Sequence, residues 1–136
     1  MNSSVSVAKI AELLDLKNFT DEIDLKKRKI TTTDINRPAL QLTGYFEHFE
    51  ESRVEIIGNV EYAYIQQMSD EEKRIRYDAF LKFDIPCVIF SRNLTPDPIF
   101  LKEALANQVP VLGTGRSTSE FTAELMGIDT HVITAI

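Results

Sequence analysis

Residues Asp84–Leu125, DIPCVIFSRNLTPDPIFLKEALANQVPVLGTGRSTSEFTAEL, read as strand, loop, helix, strand, loop, helix. Pro86–Phe90 is an apolar run too short for a helix, which suits a strand buried on both faces. Thr95 stands as a helix cap, with Pro96 at the first helical position, where a missing N–H is harmless. Phe100, Leu101, Ala104 and Leu105 then repeat as one apolar helix face. Val109–Leu112 forms a second short strand. Two strands joined by a helix lie parallel, with a right-handed crossover. The expected fold class is α/β, a small and mostly parallel sheet flanked by helices.

The loop Gly113-Thr114-Gly115-Arg116-Ser117-Thr118-Ser119-Glu120 follows the second strand. Ser117 and Glu120 have capping-box spacing, so a helix starts at Ser117. In an open parallel sheet, ligands sit outside the carboxyl ends of the strands. A helix N-terminus there offers free N–H groups to an anion. Thr114, Arg116, Ser117 and Thr118 would suit a phosphate or a carboxylate. The loop lacks the Lys of a Walker A sequence, and Thr118 stands where a dinucleotide fingerprint has its third Gly. A tight Gly turn followed by a capped helix explains the same residues.

A length of 136 residues fits one domain, and 43% hydrophobic with 26% charged residues is ordinary globular composition. Net charge is −6, which argues against a sequence-independent nucleic-acid binder. The basic run Lys26-Lys27-Arg28-Lys29 is flanked by Asp21, Glu22 and Asp24 and reads as a solvated loop. The single cysteine, Cys87, excludes an internal disulfide and reads as a small buried hydrophobe. No stretch approaches a transmembrane length, and MNSSVSVAKI has no signal-peptide character. Cytoplasmic residence is the expectation.

Working back from that core, Val5-Ser6-Val7 reads as a short edge strand. Ser6 caps a helix carrying Val7, Ile10, Ala11 and Leu14. Ile30–Thr33 is β-branched and favours a strand. It runs into a turn at Asp34-Ile35-Asn36-Arg37-Pro38, with Gly44 at a later turn. Asp34, Asn36 and Arg37 form a second candidate ligand loop, or a turn in which Arg37 pairs an acid. Val54–Ile57 is a strand ended by Gly58. Asn59 then caps a helix with Val60, Ala63 and Tyr64 on one face. Ser69 with Glu72 starts a further helix, with Ile75, Ala79, Phe80 and Phe83 toward the core. Residues 126–136 form a tail, either a terminal strand through Val132-Ile133-Thr134 or residues foreign to the fold.

His48 and His131 have no ligand-spaced partners, so no metal site is expected. No nucleophile elbow and no kinase catalytic loop appears, and no catalytic residue is assigned.

Three segments taken together resemble the N-terminal domain of bacterial HPr kinase/phosphorylase. They are Thr33–Phe46, Arg53–Glu61, and Val109–Leu112 with Ser117–Thr122. The resemblance covers roughly residues 5–125, with Ala39 where that family commonly has Gly. It implies a domain over residues 1–125, similar in fold to the N-terminal domain of Mur ligases. The complete protein would phosphorylate a serine of the phosphocarrier protein HPr, remove that phosphate, and so control carbon catabolite repression. The P-loop, ATP and Mg2+ would belong to a C-terminal kinase domain absent here, leaving this chain without cofactors or catalysis. The implied partners are that domain, HPr and, at full length, further copies of the same protein. Neither nucleic acid nor membrane is among them.

The fold analogy sharpens one expectation. If the two candidate loops converge on one sheet edge, a small anion or sugar phosphate bridges Arg37 and Arg116. The competing reading is a structural ion pair from Asp34 to Arg37 or Arg116. A stand-alone module sensing a phosphorylated metabolite or nucleotide sugar is the alternative function.

Overall fold

The computed structural model describes residues 4–128. Its centre is a five-stranded sheet in the order β2 (Lys17–Asn18), β7 (Val111–Gly113), β6 (Val88–Phe90), β5 (Val54–Ile57), β4 (Ile35–Asn36). The last four strands are mutually parallel, and β2 runs antiparallel to β7 at the edge. A two-stranded antiparallel ribbon lies apart, formed by β1 (Val5–Ser6) and β3 (Lys29–Ile30).

Alternating strand residues serve two cores. Ile57, Val88, Phe90 and Val111 face a cluster built with Ile65, Tyr77, Phe80, Leu81 and Phe100. Those partners come from α3 (Asn59–Gln66), α4 (Asp70–Leu81) and α5 (Pro98–Ala106). Val54, Ile56, Ile89 and Leu112 face the other cluster, with Ile10, Phe121 and Leu125. Its helices are α1 (Val7–Leu13) and α6 (Thr118–Met126). The short α2 (Ala39–Leu42) contributes Leu42 to the first cluster. Both faces of the central strands are therefore covered, which is why they read as continuous apolar runs.

Most of the expected elements form, with specific corrections. The cap of α5 is Asp97 with Pro98 at the first position, not Thr95 with Pro96. The hydroxyl of fully buried Tyr77 explains the choice. It donates to Asp97 Oδ2 at 2.7 Å, while Asp97 Oδ1 accepts from Phe100 N at 2.8 Å. A buried hydroxyl without an acceptor is costly, so the carboxylate serves both groups. The α3 helix begins one residue earlier than expected: Gly58 is the cap and Asn59 already helical. Val60, Ala63 and Tyr64 lie toward the solvent, and Glu61 and Ile65 are inside. In α4, Ile75 is exposed and Tyr77, Phe80 and Leu81 are buried.

The expected strand Ile30–Thr33 reduces to Lys29–Ile30, because β1 offers only two partners. The expected turn at Ile35-Asn36 is instead β4. Arg28, in the basic run read as a solvated loop, is half-buried, pairs with Asp84 at 2.9 Å and donates to the Ile85 carbonyl. Gly44 does sit in a turn, with φ +95, a conformation that favours glycine. The expected terminal strand at 132–134 lies outside the described residues.

Phe100 stacks edge-on with Phe90 at 5.2 Å and Tyr77 at 4.9 Å between ring centroids. Phe100→Ala should lower the unfolding free energy by about 3–5 kcal/mol in urea denaturation. An unchanged denaturation midpoint would show that this aromatic stack does not hold α5 to the sheet.

Candidate functional site

Because β4, β5, β6 and β7 are parallel, their carboxyl ends share one edge. Chain leaves that edge at Arg37, Gly58, Ser91 and Thr114. The Gly58 N–H donates to Glu61 Oε1 at 2.7 Å, and the same oxygen accepts from Arg37 Nη2 at 3.0 Å. Glu61 is buried while Arg37 is partly exposed, a charge-assisted contact at the mouth of the edge. Ser91 Oγ lies 2.9 Å from Thr118 Oγ1 and 3.4 Å from the Ile57 carbonyl oxygen. With the Ser91 proton directed to that carbonyl, the Thr118 hydroxyl is the donor of the pair. A Cβ on Gly58 would lie 2.6 Å from Thr118 Oγ1 and 3.0 Å from Arg37 Nη2. A side chain at position 58 would have to displace the Thr118 hydroxyl and the Arg37 guanidinium.

Arg37 and Thr118, from the two expected loops, thus meet around Gly58. The other expected residues are placed differently. Arg116 turns to the opposite face: Nη1 donates to the Leu14 carbonyl at 2.6 Å and Nε pairs with Glu124 at 2.7 Å. Thr114 is buried and accepts from both the N–H and Nη1 of Arg116, each at 3.2 Å. Ser117 caps α6 by accepting from Glu120 N at 3.1 Å, and Glu120 returns a bond to Ser117 N. That return bond holds the Glu120 carboxyl below its ordinary pKa. Asp34 lies before β4, where its carbonyl accepts from Val54 N. The two arginines do pair acids, but the acids are Glu61 and Glu124, not Asp34.

Beside this cluster a cavity of about 280 Å³ is lined by Lys17, Phe19, Asn93, Thr114 and Gly115, among others. Lys17 Nζ stands 4.9 Å from the Phe19 ring centroid, a cation–π contact. Arg92 and Asn93 both hold positive φ, 56° and 58°. Their N–H groups donate to the Arg116 and Thr114 carbonyls, which locks the two loops together. Consecutive left-handed residues without glycine store backbone strain and often mark a site. The edge offers cations, amides and hydroxyls suited to holding a polar or anionic group. Among the described residues, neither Ser91 nor Thr118 is hydrogen-bonded to a base. Among the same residues, no three His, Cys, Asp or Glu gather as a metal site, and no helix is long and apolar enough to cross a membrane.

Asn36 points inward. Its Nδ2 donates to Glu55 Oε1 at 2.7 Å and to Gln41 Oε1 at 3.1 Å. Glu55 is fully buried on a central strand, and its Oε2 has no partner among the described residues. Burial pushes its carboxyl up to about 8, against the opposing pull of the Asn36 bond and the Arg53 charge. Burial, reinforced by Glu55, also pushes the neighbouring Cys87 thiol up to about 12, as befits an inert structural cysteine.

Sequence reading missed Gly58, Glu61, Ser91 and the Lys17–Phe19 wall. The spacing Gly58-x-x-Glu61 carried a signal, a Glu three residues after a cap, but a cap placed at Asn59 hides it. Nothing local marks Ser91 or Glu55.

A family model described as HPr Serine kinase N terminus matches residues 5–128. The chain is 41% identical over 123 residues to the HPr kinase/phosphorylase of Lachnoclostridium phytofermentans, covering 90% of this chain and 40% of that protein. For the HPr kinase/phosphorylase of Caldicellulosiruptor bescii, identity is 39% over 126 residues, covering 93% and 40%. The chain therefore spans about two fifths of the length of these curated relatives. Among solved structures, it is similar to the CBS and DRTGG domains of the regulatory region of Clostridium perfringens pyrophosphatase, complexed with the activator diadenosine tetraphosphate. That likeness has a TM-score of 0.62 at 14% identity over 94% of this chain and 49% of the other, and shows the fold alone.

Two outcomes follow from this geometry. Arg116→Ala removes the tie between α1, the β7 loop and α6, so the melting temperature should fall, by the equivalent of about 1–3 kcal/mol. Any ligand response should survive it; loss of ligand response at unchanged stability would place Arg116 in a binding site instead. Glu55 keeps its proton in the folded chain to about pH 8, whereas the unfolded carboxyl loses it near the ordinary 4.5. Folding therefore takes up a proton between those values, and stability falls as pH rises through that window. The slope approaches about 1.4 kcal/mol per pH unit. Glu55→Gln should flatten the profile, and an unfolding free energy from urea titrations at pH 5, 7 and 8 that changes with pH equally in both proteins would refute this assignment.

Proposed function

The chain belongs to the HPr Serine kinase N-terminus family, and from that membership we propose that it is the regulatory and assembly domain of a bifunctional HPr(Ser) kinase/phosphorylase, non-catalytic by itself. The observation that carries this reading is the coverage: the chain matches relatives of that name along almost all of its own length but only about two fifths of theirs. The remaining part would hold the phosphate loop, ATP and Mg2+ and perform the transfer to HPr, in the cytoplasm and in service of carbon catabolite repression. The polar groups at the strand ends support a non-catalytic role, since Arg37 and Glu61 neutralise each other and Ser91 and Thr118 bond each other. Leu40 on α2 and Val60 and Tyr64 on the adjoining α3 stand exposed. They offer an apolar seat for the catalytic part or for another subunit.

A second reading has its own support. The cavity beside β7, with Lys17 and the strained Arg92-Asn93 pair, suits a module that senses a phosphorylated metabolite or nucleotide sugar. Both roles are compatible in one regulatory domain.

The test is a graft. The 136-residue chain alone, with HPr, ATP and Mg2+, should transfer no phosphate. Fused to the remaining part of the Lachnoclostridium phytofermentans relative, it should give an active enzyme whose assembly or metabolite response differs from that part alone. Phosphate transfer by the isolated chain would overturn the non-catalytic assignment. A fusion indistinguishable from the catalytic part would overturn the regulatory one. For sensing, a nucleotide sugar at a hundred times its dissociation constant should stabilise the fold by about 2.7 kcal/mol. Lys17→Ala should abolish that shift in melting temperature.

A further inference from the structure

The basic run near residue 28 is not absorbed by the strand-end site, and the fold gives it a different setting. It lies at the opposite, amino-terminal edge of the sheet, where chain enters β5 and β6. There a pocket of about 340 Å³ is lined by Lys27, Arg28, Lys29, Thr31, Ser52 and Asp84. That volume is at the lower end of small-ligand clefts, roughly 300–1,000 Å³.

The charge at this pocket is unbalanced. Three cations line it against one carboxylate, and that carboxylate is held by Arg28 at 2.9 Å. Lys27 and Lys29 make no ion pair among the described residues. In a chain of net charge −6, such a local surplus is not the average surface. Arg28 is also fixed. Its Nη2 bonds the Ile85 carbonyl and Asp84, while Nε is buried and has no partner among the described residues. A guanidinium already immobilised loses little further freedom on donating to an oxyanion. The Thr31 and Ser52 hydroxyls add neutral donors of the kind that complete phosphate sites.

We propose that this pocket binds a small tetrahedral oxyanion, either inorganic phosphate or the phosphate group of a small molecule. Arg28 supplies the fixed centre and Lys27 and Lys29 the closing charges. Binding here is separate from the strand-end cluster and stands whether or not that edge takes a ligand.

The experiment is a titration of the 136-residue chain with inorganic phosphate and with glycerol 3-phosphate, followed by amide chemical shifts. Ionic strength is held constant with chloride. Saturable shifts should centre on residues 27–31, 52, 84 and 85. The double variant Lys27→Ala/Lys29→Ala, changed only at exposed side chains, should weaken binding at least about tenfold. Arg37→Ala should leave binding unaltered. A tighter response to the monoester names a phosphorylated small molecule as the occupant, and a tighter response to phosphate names the free anion. Absence of saturation at millimolar anion overturns the proposal. So does saturation that is indifferent to the two lysines, or that moves to Arg37, Gly58 and Thr118.

Discussion

The centre of a parallel sheet must be covered on both faces, and that constraint organises this molecule. Strands β5, β6 and β7 present alternate residues to two separate cores, so neither face can carry an unpartnered polar group without cost. The helices follow from it. α3, α4 and α5 shield one face, while α1, α6 and the β1–β3 ribbon shield the other. With both faces covered, the sheet itself is open to a small ligand only at its two ends.

Polar groups taken into the interior are bound in small closed sets, and each set ties elements distant in sequence. Tyr77 and Asp97 join α4 to the start of α5, with Lys73 3.7 Å from the same carboxylate. Arg116 joins the β7 loop to the end of α1 and to α6. Asn36 joins β4 to β5 and α2 through Glu55 and Gln41. This last set is incomplete, since one Glu55 oxygen is unmatched. A proton resolves part of the conflict by removing the charge, which is the physical content of its raised pKa.

The parts of the fold legible in the sequence were those fixed by local rules. Short apolar runs bounded by Pro and Gly marked β5, β6 and β7, and the box Ser117-x-x-Glu120 marked the start of α6. Rules failed where a distant group decided. Thr95 and Asp97 are both good caps, and Tyr77, twenty residues earlier, selects Asp97. In α3 the apolar stripe Val60, Ala63 and Tyr64 faces outward, while the buried stripe includes a charged residue, Glu61. Glu61 is held by the Gly58 N–H and by Arg37, groups that hydrophobic spacing does not register. β4 was hidden because Asn36 looks like a turn former; its side chain is instead used inside, against Glu55. The candidate loops were legible to the same extent. Arg37 and Thr118 stand after strands as expected, but the partner that fixes Arg37 comes from α3, and Arg116 is claimed by Leu14, a distant residue.

The two ends of the sheet differ in what they leave unspent. At the carboxyl end, where open parallel sheets usually hold ligands, Arg37 and Arg116 already face carboxylates of the same chain, Glu61 and Glu124. An anion arriving there must compete with a buried, doubly bonded Glu61, or be satisfied with Lys17, Arg92, Asn93 and main-chain amides. At the amino end, Arg28 is held by Asp84 and the Ile85 carbonyl, and the two lysines beside it make no ion pair among the described residues. Topology favours the first end and electrostatics the second. For a small, multiply charged ligand the second consideration weighs more, because displacing a charge-assisted internal bond costs more than filling a site whose cations face water. A neutral or weakly charged ligand with a sugar or a base would reverse that order, since the walls of the carboxyl-end cavity include the Phe19 ring and backbone groups. Two ligand chemistries, if both are used, would thus be kept apart by the length of the parallel strands.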